Sequence, residues 1–126
     1  MTTLISKDYI DYFNKLFSTM IEKKQISKIQ YEFDILHIKD LLNVCNKFHL
    51  FPNYISVNED NLIEFIFINN NSRVSILIDV YSYTIKCKNR TLLAAFSEFT
   101  INIPYSESST YDSLLNNFKK CLINFL

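Results

Sequence analysis

The chain has 126 residues, 48% of them hydrophobic, with 13 basic and 13 acidic side chains and no glycine. So much apolar surface excludes disorder and predicts one α+β domain, 1–126, while a formal charge of zero removes any overall pull toward nucleic acid or an acidic membrane. Phosphate-cradling loops, dinucleotide fingerprints and nucleophile elbows are excluded too, because each needs glycine for positive φ or for close backbone approach to a ligand.

The abundance of Ile, Asn, Lys, Phe and Tyr beside few Ala, Arg and Pro points to an AT-rich coding genome. Cys45, Cys87 and Cys121 are odd in number and widely spaced, which suits free thiols in a reducing compartment rather than a disulfide framework. The most apolar run, Leu62–Ile68, carries Glu64 and falls far short of the roughly 20 residues of a membrane span. The N-terminus is acidic where a signal peptide would be basic and then apolar. The expected location is the cytoplasm.

In chain order, Ser6–Lys24 predicts an amphipathic helix. Tyr9, Phe13, Leu16, Phe17, Met20 and Ile21 recur at spacings of three and four, with Ser6 as N-cap and Asp8 in the first turn. Ile26–Asp34 alternates through Ile29, Tyr31 and Phe33 and reads as a short edge strand or an extended connection. Asp34 then caps a second helix through about His49, with Ile35, Ile38, Leu41, Leu42, Cys45 and Phe48 on one face. Pro52 forbids continuation.

Tyr54–Lys88 is the densest signal. β-branched and aromatic runs separated by Asn, Asp and Ser predict an antiparallel meander: Tyr54–Val57, Leu62–Ile68, Arg73–Val80 and Tyr83–Lys88. Asp60-Asn61 makes the first turn, Asn69–Ser72 the second and Tyr81-Ser82 the third. Thr91–Ile103 fits either type of element, and the alternation of Phe99, Ile101 and Ile103 favours a fifth strand. A last helix runs from Thr110 to about Asn124, with Ser109-x-x-Asp112 resembling a capping box. The fold expected is a four- to five-stranded antiparallel meander, with two N-terminal helices and one C-terminal helix packed on it.

Strand parity divides the side chains between two faces. Ile63, Phe65, Phe67, Val74, Ile76, Ile78, Val80, Tyr83, Ile85 and Cys87 form the core face. Opposite them lies a mixed face, on which Ile66, Ile68 and Leu77 make an apolar patch rimmed by Glu64, Arg73, Asp79, Lys86 and Lys88. Such a patch marks a protein interface, unless the third helix crosses over and covers it.

Other constellations are weaker. His37 and His49 stand at the two ends of the second helix and on different faces, and His49 with Cys45 supplies only two of the three or four ligands a metal needs. Glu59 and Asp60 fall in a turn, the ordinary place for solvated acids. Lys86, Lys88 and Arg90 near Tyr83 faintly suggest a base-stacking sheet, but Glu64 and Asp79 share that face. No metal, cofactor or catalytic residue is assigned, and the chain is expected not to be an enzyme.

Over Pro52–Lys88, Asp60-Asn61, Ile63, Phe65 and Phe67 and then Ser75-Ile76-Leu77-Ile78-Asp79 follow a recognisable order. This stretch resembles a small bacterial α+β domain found beside toxin or defence genes, with a hairpin of the form DG-x-I-x-L-x-W and an L-x-I-x-I strand ending in D-x-G-x-x-x-Y. Asn61 stands for its first glycine, Phe67 for its tryptophan, and its second glycine is missing. The resemblance implies a non-catalytic, antitoxin-like accessory role and assigns no functional residue. The function expected is a protein-binding inhibitor that neutralises a toxin, nuclease or defence complex, with a homodimer as a further possibility. The alternatives are a phage or viral anti-defence protein that blocks a host nuclease complex, and a small hydrolase or nuclease with a dispersed site.

Overall fold

The computed structural model describes residues 2–24, 26–69, 72–90, 96–106 and 108–123. Its α+β elements fall into two compact units, Met1–Phe51 and Pro52–Leu126. The first holds α1 (Thr2–Glu22) and α2 (Lys28–Phe48). The second holds β1 (Tyr54–Val57), β2 (Ile63–Asn69), β3 (Ser72–Ile78), β4 (Ser82–Arg90), β5 (Phe96–Pro104) and α3 (Thr110–Phe118), which runs on into a π-helical turn, Lys119–Ile123.

In the first unit both helices begin earlier than periodicity predicts. α1 starts at Thr2, so Ser6 is not its cap and Asp8 is not in its first turn. The alternation across Ile29, Tyr31 and Phe33 proves helical. Ser27 caps α2, its Oγ accepting the Gln30 N–H at 3.0 Å, and Asp34 is an interior residue instead of the cap. Lys28, Gln30 and Glu32 are good helix formers, and Tyr31, Ile35, Ile38 and Leu42 continue one helical stripe. The Tyr31 ring packs on Phe17 of α1 at 5.5 Å between centroids. His49 closes α2 in the left-handed conformation (φ 53°), and the Leu50 N–H returns to the Cys45 carbonyl at 3.0 Å. His37, expected at the start of this helix, lies near its middle.

In the second unit the meander is realised with consecutive strands paired antiparallel in the order β1-β2-β3-β4-β5, so the expected stretch Thr91–Ile103 contributes a fifth strand from Phe96 onward, its first residues, 91–95, lying outside the described residues. Register sets the core face in rows, among them Phe65–Ile76–Ile85 and Ile63–Ile78–Tyr83, whose members are almost wholly buried. Each such side chain contributes roughly 1.5–3 kcal/mol by leaving water. α3 covers this face: Phe118 meets Phe67 edge-on at 5.7 Å, and Leu114, Cys121 and Leu122 are buried with it. Val80, expected in this core, lies beyond the end of β3 and is 52% exposed.

The turns show how a chain without glycine bends. Asn61 takes φ 63°, as the Asp60-Asn61 turn requires, and Asn58 organises that turn by accepting the N–H groups of Asp60 and Leu62 at 2.9 and 3.0 Å. Between β3 and β4 the Asp79 N–H reaches the Ser82 carbonyl at 3.0 Å, and the Asp79 carboxylate accepts the Val80 N–H at 2.7 Å. Tyr105 braces the same turn, its hydroxyl donating to the Asp79 carbonyl at 2.8 Å while its ring packs on Tyr83. Asn70 and Asn71 of the second turn lie outside the described residues. At α3, Ser109 makes no side-chain cap bond, so the expected capping box does not form; Thr110 instead donates to the Pro104 carbonyl at 2.7 Å.

Candidate functional site

The sheet face opposite the core is built from alternate residues of all five strands. Register places Ile68, Arg73, Lys88 and Glu98 in one row across β2 to β5, and Glu64, Leu77, Thr84 and Asn102 in another. Ile66 pairs with Ser75, which pairs with Lys86. The eight residues expected to form a partner surface therefore do share a face, except that Asp79 has left the strand for the turn after it.

Their exposure departs from expectation. Ile66 is only 9% exposed and Leu77 only 4%, and Ser75 and Thr84 beside them are buried as well. The proposed continuous apolar patch is therefore not open to solvent. α3 is not what lies over them, since its contact with Phe67 puts it on the core face. What remains accessible is one end of the face. Ile68 is 45% exposed, and Arg73, Lys86 and Lys88 are exposed around it. Arg73 reaches Glu64 at 3.7 Å, an ion pair whose exposed guanidinium limits it to about 0–1 kcal/mol. Thr84 Oγ and the Asn102 side-chain oxygen are 3.1 Å apart and link β4 to β5 on this face.

A second surface lies on α2. Ile29, Phe33 and Leu36 are 81%, 54% and 67% exposed, and their spacing of four and three aligns them along one side of the helix. A reading that takes Ile26–Asp34 as extended cannot find this stripe, because it exists only in helical register. Phe33 is edge-on to the His37 ring at 6.0 Å. On another side of α2, Phe17, Tyr31, Ile35, Ile38 and Leu42 line an open cleft of about 400 Å³ with Asn14, Lys39 and Asn43.

Chemistry-bearing groups are scattered. Asp34 is buried, and its Oδ2 has no hydrogen-bond partner. Burial pushes its carboxyl up to about 6, opposed by a hydrogen bond from the Gln30 side chain. Burial lowers His37, against the nearby Asp40 carboxylate. Burial raises the Cys45 thiol, and Cys87 is raised by its hydrogen bond with Cys121 and by burial. All three thiols are free and buried. Among the described residues no three His, Cys, Asp or Glu side chains gather as a metal site would require, and no helix is long and apolar enough to cross a membrane. Comparison of the chain with known protein families, with curated proteins and with solved structures yields no match.

Proposed function

We propose that this chain acts by binding another protein, as an inhibitor of the immunity or antitoxin kind that neutralises its partner by contact and without chemistry of its own. One observation carries the reading: the line of Ile29, Phe33 and Leu36 standing in solvent along α2. Large apolar side chains at helical spacing are the anchors with which a helix fills a hydrophobic groove, and aligned exposure of this kind is seldom retained without a partner. At the accessible end of the sheet face Arg73, Lys86 and Lys88 outnumber Glu64 and Glu98, and that positive excess speeds encounter and rejects wrong partners. An acidic partner surface fits it.

The test is site-specific photocrosslinking in the native cell type. A photoreactive residue at Phe33 is expected to give one adduct of defined mass, and the same residue at exposed Lys119 none. Ile29→Glu with Leu36→Glu should abolish that adduct while leaving the circular dichroism spectrum and melting unchanged. A partner that co-purifies equally well with the double variant would refute the role given to α2.

A further inference from the structure

The two edges of the sheet are unequal. β1 is four residues long, whereas β5 is nine, and short edges are one way proteins prevent unwanted pairing. The hydrogen-bond phase of β5 follows from one contact: the Tyr105 N–H donates to the Tyr81 carbonyl at 2.9 Å, in register with β4·β5 pairing. Hydrogen-bonded pairs alternate along an antiparallel ladder, so Ile103, Ile101 and Phe99 turn their backbone groups toward β4. The Asp79–Ser82 bond gives the same phase from the other side, committing the even residues of β4 to β3 and the odd ones to β5. Glu98, Thr100 and Asn102 therefore aim their N–H and C=O groups away from the sheet, and all three are exposed. The adjacent Pro104 has no N–H, and its carbonyl is taken by Thr110.

We propose that the outer edge of β5 pairs antiparallel with β5 of a second copy of this chain, about a two-fold axis at Thr100, joining the two sheets into one. In that register Thr100 exchanges both backbone bonds with its own copy, and Glu98 does so with the partner copy's Asn102. The side chains agree. Glu98 lies beside an amide, Thr100 beside Thr100, and on the core face Phe99 lies beside Ile101, pairs of the kind that stabilise antiparallel ladders. Phe99 and Ile101 are only half-buried, although their β4 neighbours Cys87 and Ile85 are fully buried, so an added strand completes their burial. Moving the axis two residues either way spoils the pairing. An axis at Glu98 sets Glu98 against Glu98, and one at Asn102 sets Thr100 against Pro104. A net charge of zero leaves no overall repulsion between copies. The interface is isologous, which is the ordinary requirement for a closed dimer.

The experiment is sedimentation equilibrium of the full chain over a wide concentration range, with four variants, Thr100→Pro, Asn102→Lys, Asn102→Glu and Leu36→Glu. The unmodified protein is expected to show a reversible monomer–dimer equilibrium. Thr100→Pro removes an N–H that β4 does not use, so folding should survive while dimerisation weakens about tenfold or more. Asn102→Lys should tighten the dimer relative to Asn102→Glu, because Glu98 of the other copy faces that position; both lose the Thr84 contact equally, which keeps the comparison valid if the proline variant fails to fold. A protein monomeric at high concentration overturns the proposal. So does a dimer whose strength is the same with Lys and Glu at position 102, or one lost on Leu36→Glu and untouched by Thr100→Pro. The proposal is independent of the inhibitor reading, since a dimer forms or fails whether or not a partner is found.

Discussion

Replacing Asp34 by Asn should make this protein more stable at neutral pH, although it removes a charged residue from a helix. Asp34 shares a stripe of α2 with Ile38, Leu41 and Cys45, is 3% exposed, and leaves Oδ2 unpartnered. Its carboxyl is raised from 3.8 to about 6, chiefly by burial. The folded state therefore holds this proton more tightly than the unfolded chain. Protonated Asp34 is accommodated fully below pH 3.8, and that contribution is lost as pH rises through 6. A difference of about two pKa units corresponds to about 3 kcal/mol at roughly 1.4 kcal/mol per unit, a ceiling because the helix relaxes around the charge. Asn has the shape of the protonated acid and never ionises. Asp34→Asn should thus gain about 2–3 kcal/mol at pH 8, a rise in urea midpoint of roughly 1–2 M, and almost nothing at pH 3.5. Urea titrations of both proteins across that range isolate the effect, since every other carboxylate titrates in both. A stability difference that does not change with pH, or no gain at pH 8, would refute the argument by showing that the carboxylate finds water or a partner.

Two further outcomes follow from the backbone and the core. Lys24, His49 and Asn61 occupy the left-handed region at φ 58°, 53° and 63°, which costs a side chain with a Cβ about 1 kcal/mol, less for Asn. Glycine at Lys24 or His49 should stabilise by up to about 1 kcal/mol and at Asn61 by a few tenths, whereas Asn61→Val should destabilise by about 1–2 kcal/mol; thermal melts check each value. The thiols of Cys45, Cys87 and Cys121 are buried; burial holds Cys45 above the ordinary range, and the hydrogen bond with Cys121 together with burial does the same for Cys87. A thiol-reactive chromophore at pH 8 should count no cysteine in the native protein and all three in denaturant, and a rapid native reaction would show that the core opens.

The sheet was legible because its signals are local and redundant. Each strand of the meander carries its own β-branched alternation, and the first two turns are rich in Asn, which tolerates left-handed backbone, so the core face could be assigned by parity alone. The misreadings share a cause. Ile29, Tyr31 and Phe33 satisfy a period of two, whereas in the helix Ile29 and Phe33 share one side and Tyr31 takes the other, and only the Ser27 cap with the Tyr31–Phe17 contact decides between the two readings. Val80 continues the alternation of β3 in sequence, but the Asp79 turn ends the strand before it. The exposure of Ile66 and Leu77 was illegible in principle, since parity assigns a side chain to a face and says nothing of what lies over that face.

Composition alone does not account for the stripe on α2. An AT-rich coding bias explains why exposed positions hold Ile and Phe, and it would scatter such residues without regard to helical phase. Here the same side of α2 carries Ile29, Phe33 and Leu36 and then, at continuing spacings of four and three, Asp40, Asn43 and Lys47, all exposed. The apolar character stops between Leu36 and Asp40 while the helix runs on. A boundary in phase with the helix is what a partner covering one half of that side would leave behind. The charges beyond it resemble the polar rim that surrounds the apolar centre of an interface. Exchanging one residue of each half, by Ile29→Asp with Asp40→Ile, keeps composition and net charge the same. If general stickiness drives binding, that exchange changes nothing; if the boundary matters, it moves or abolishes the photocrosslink at Phe33.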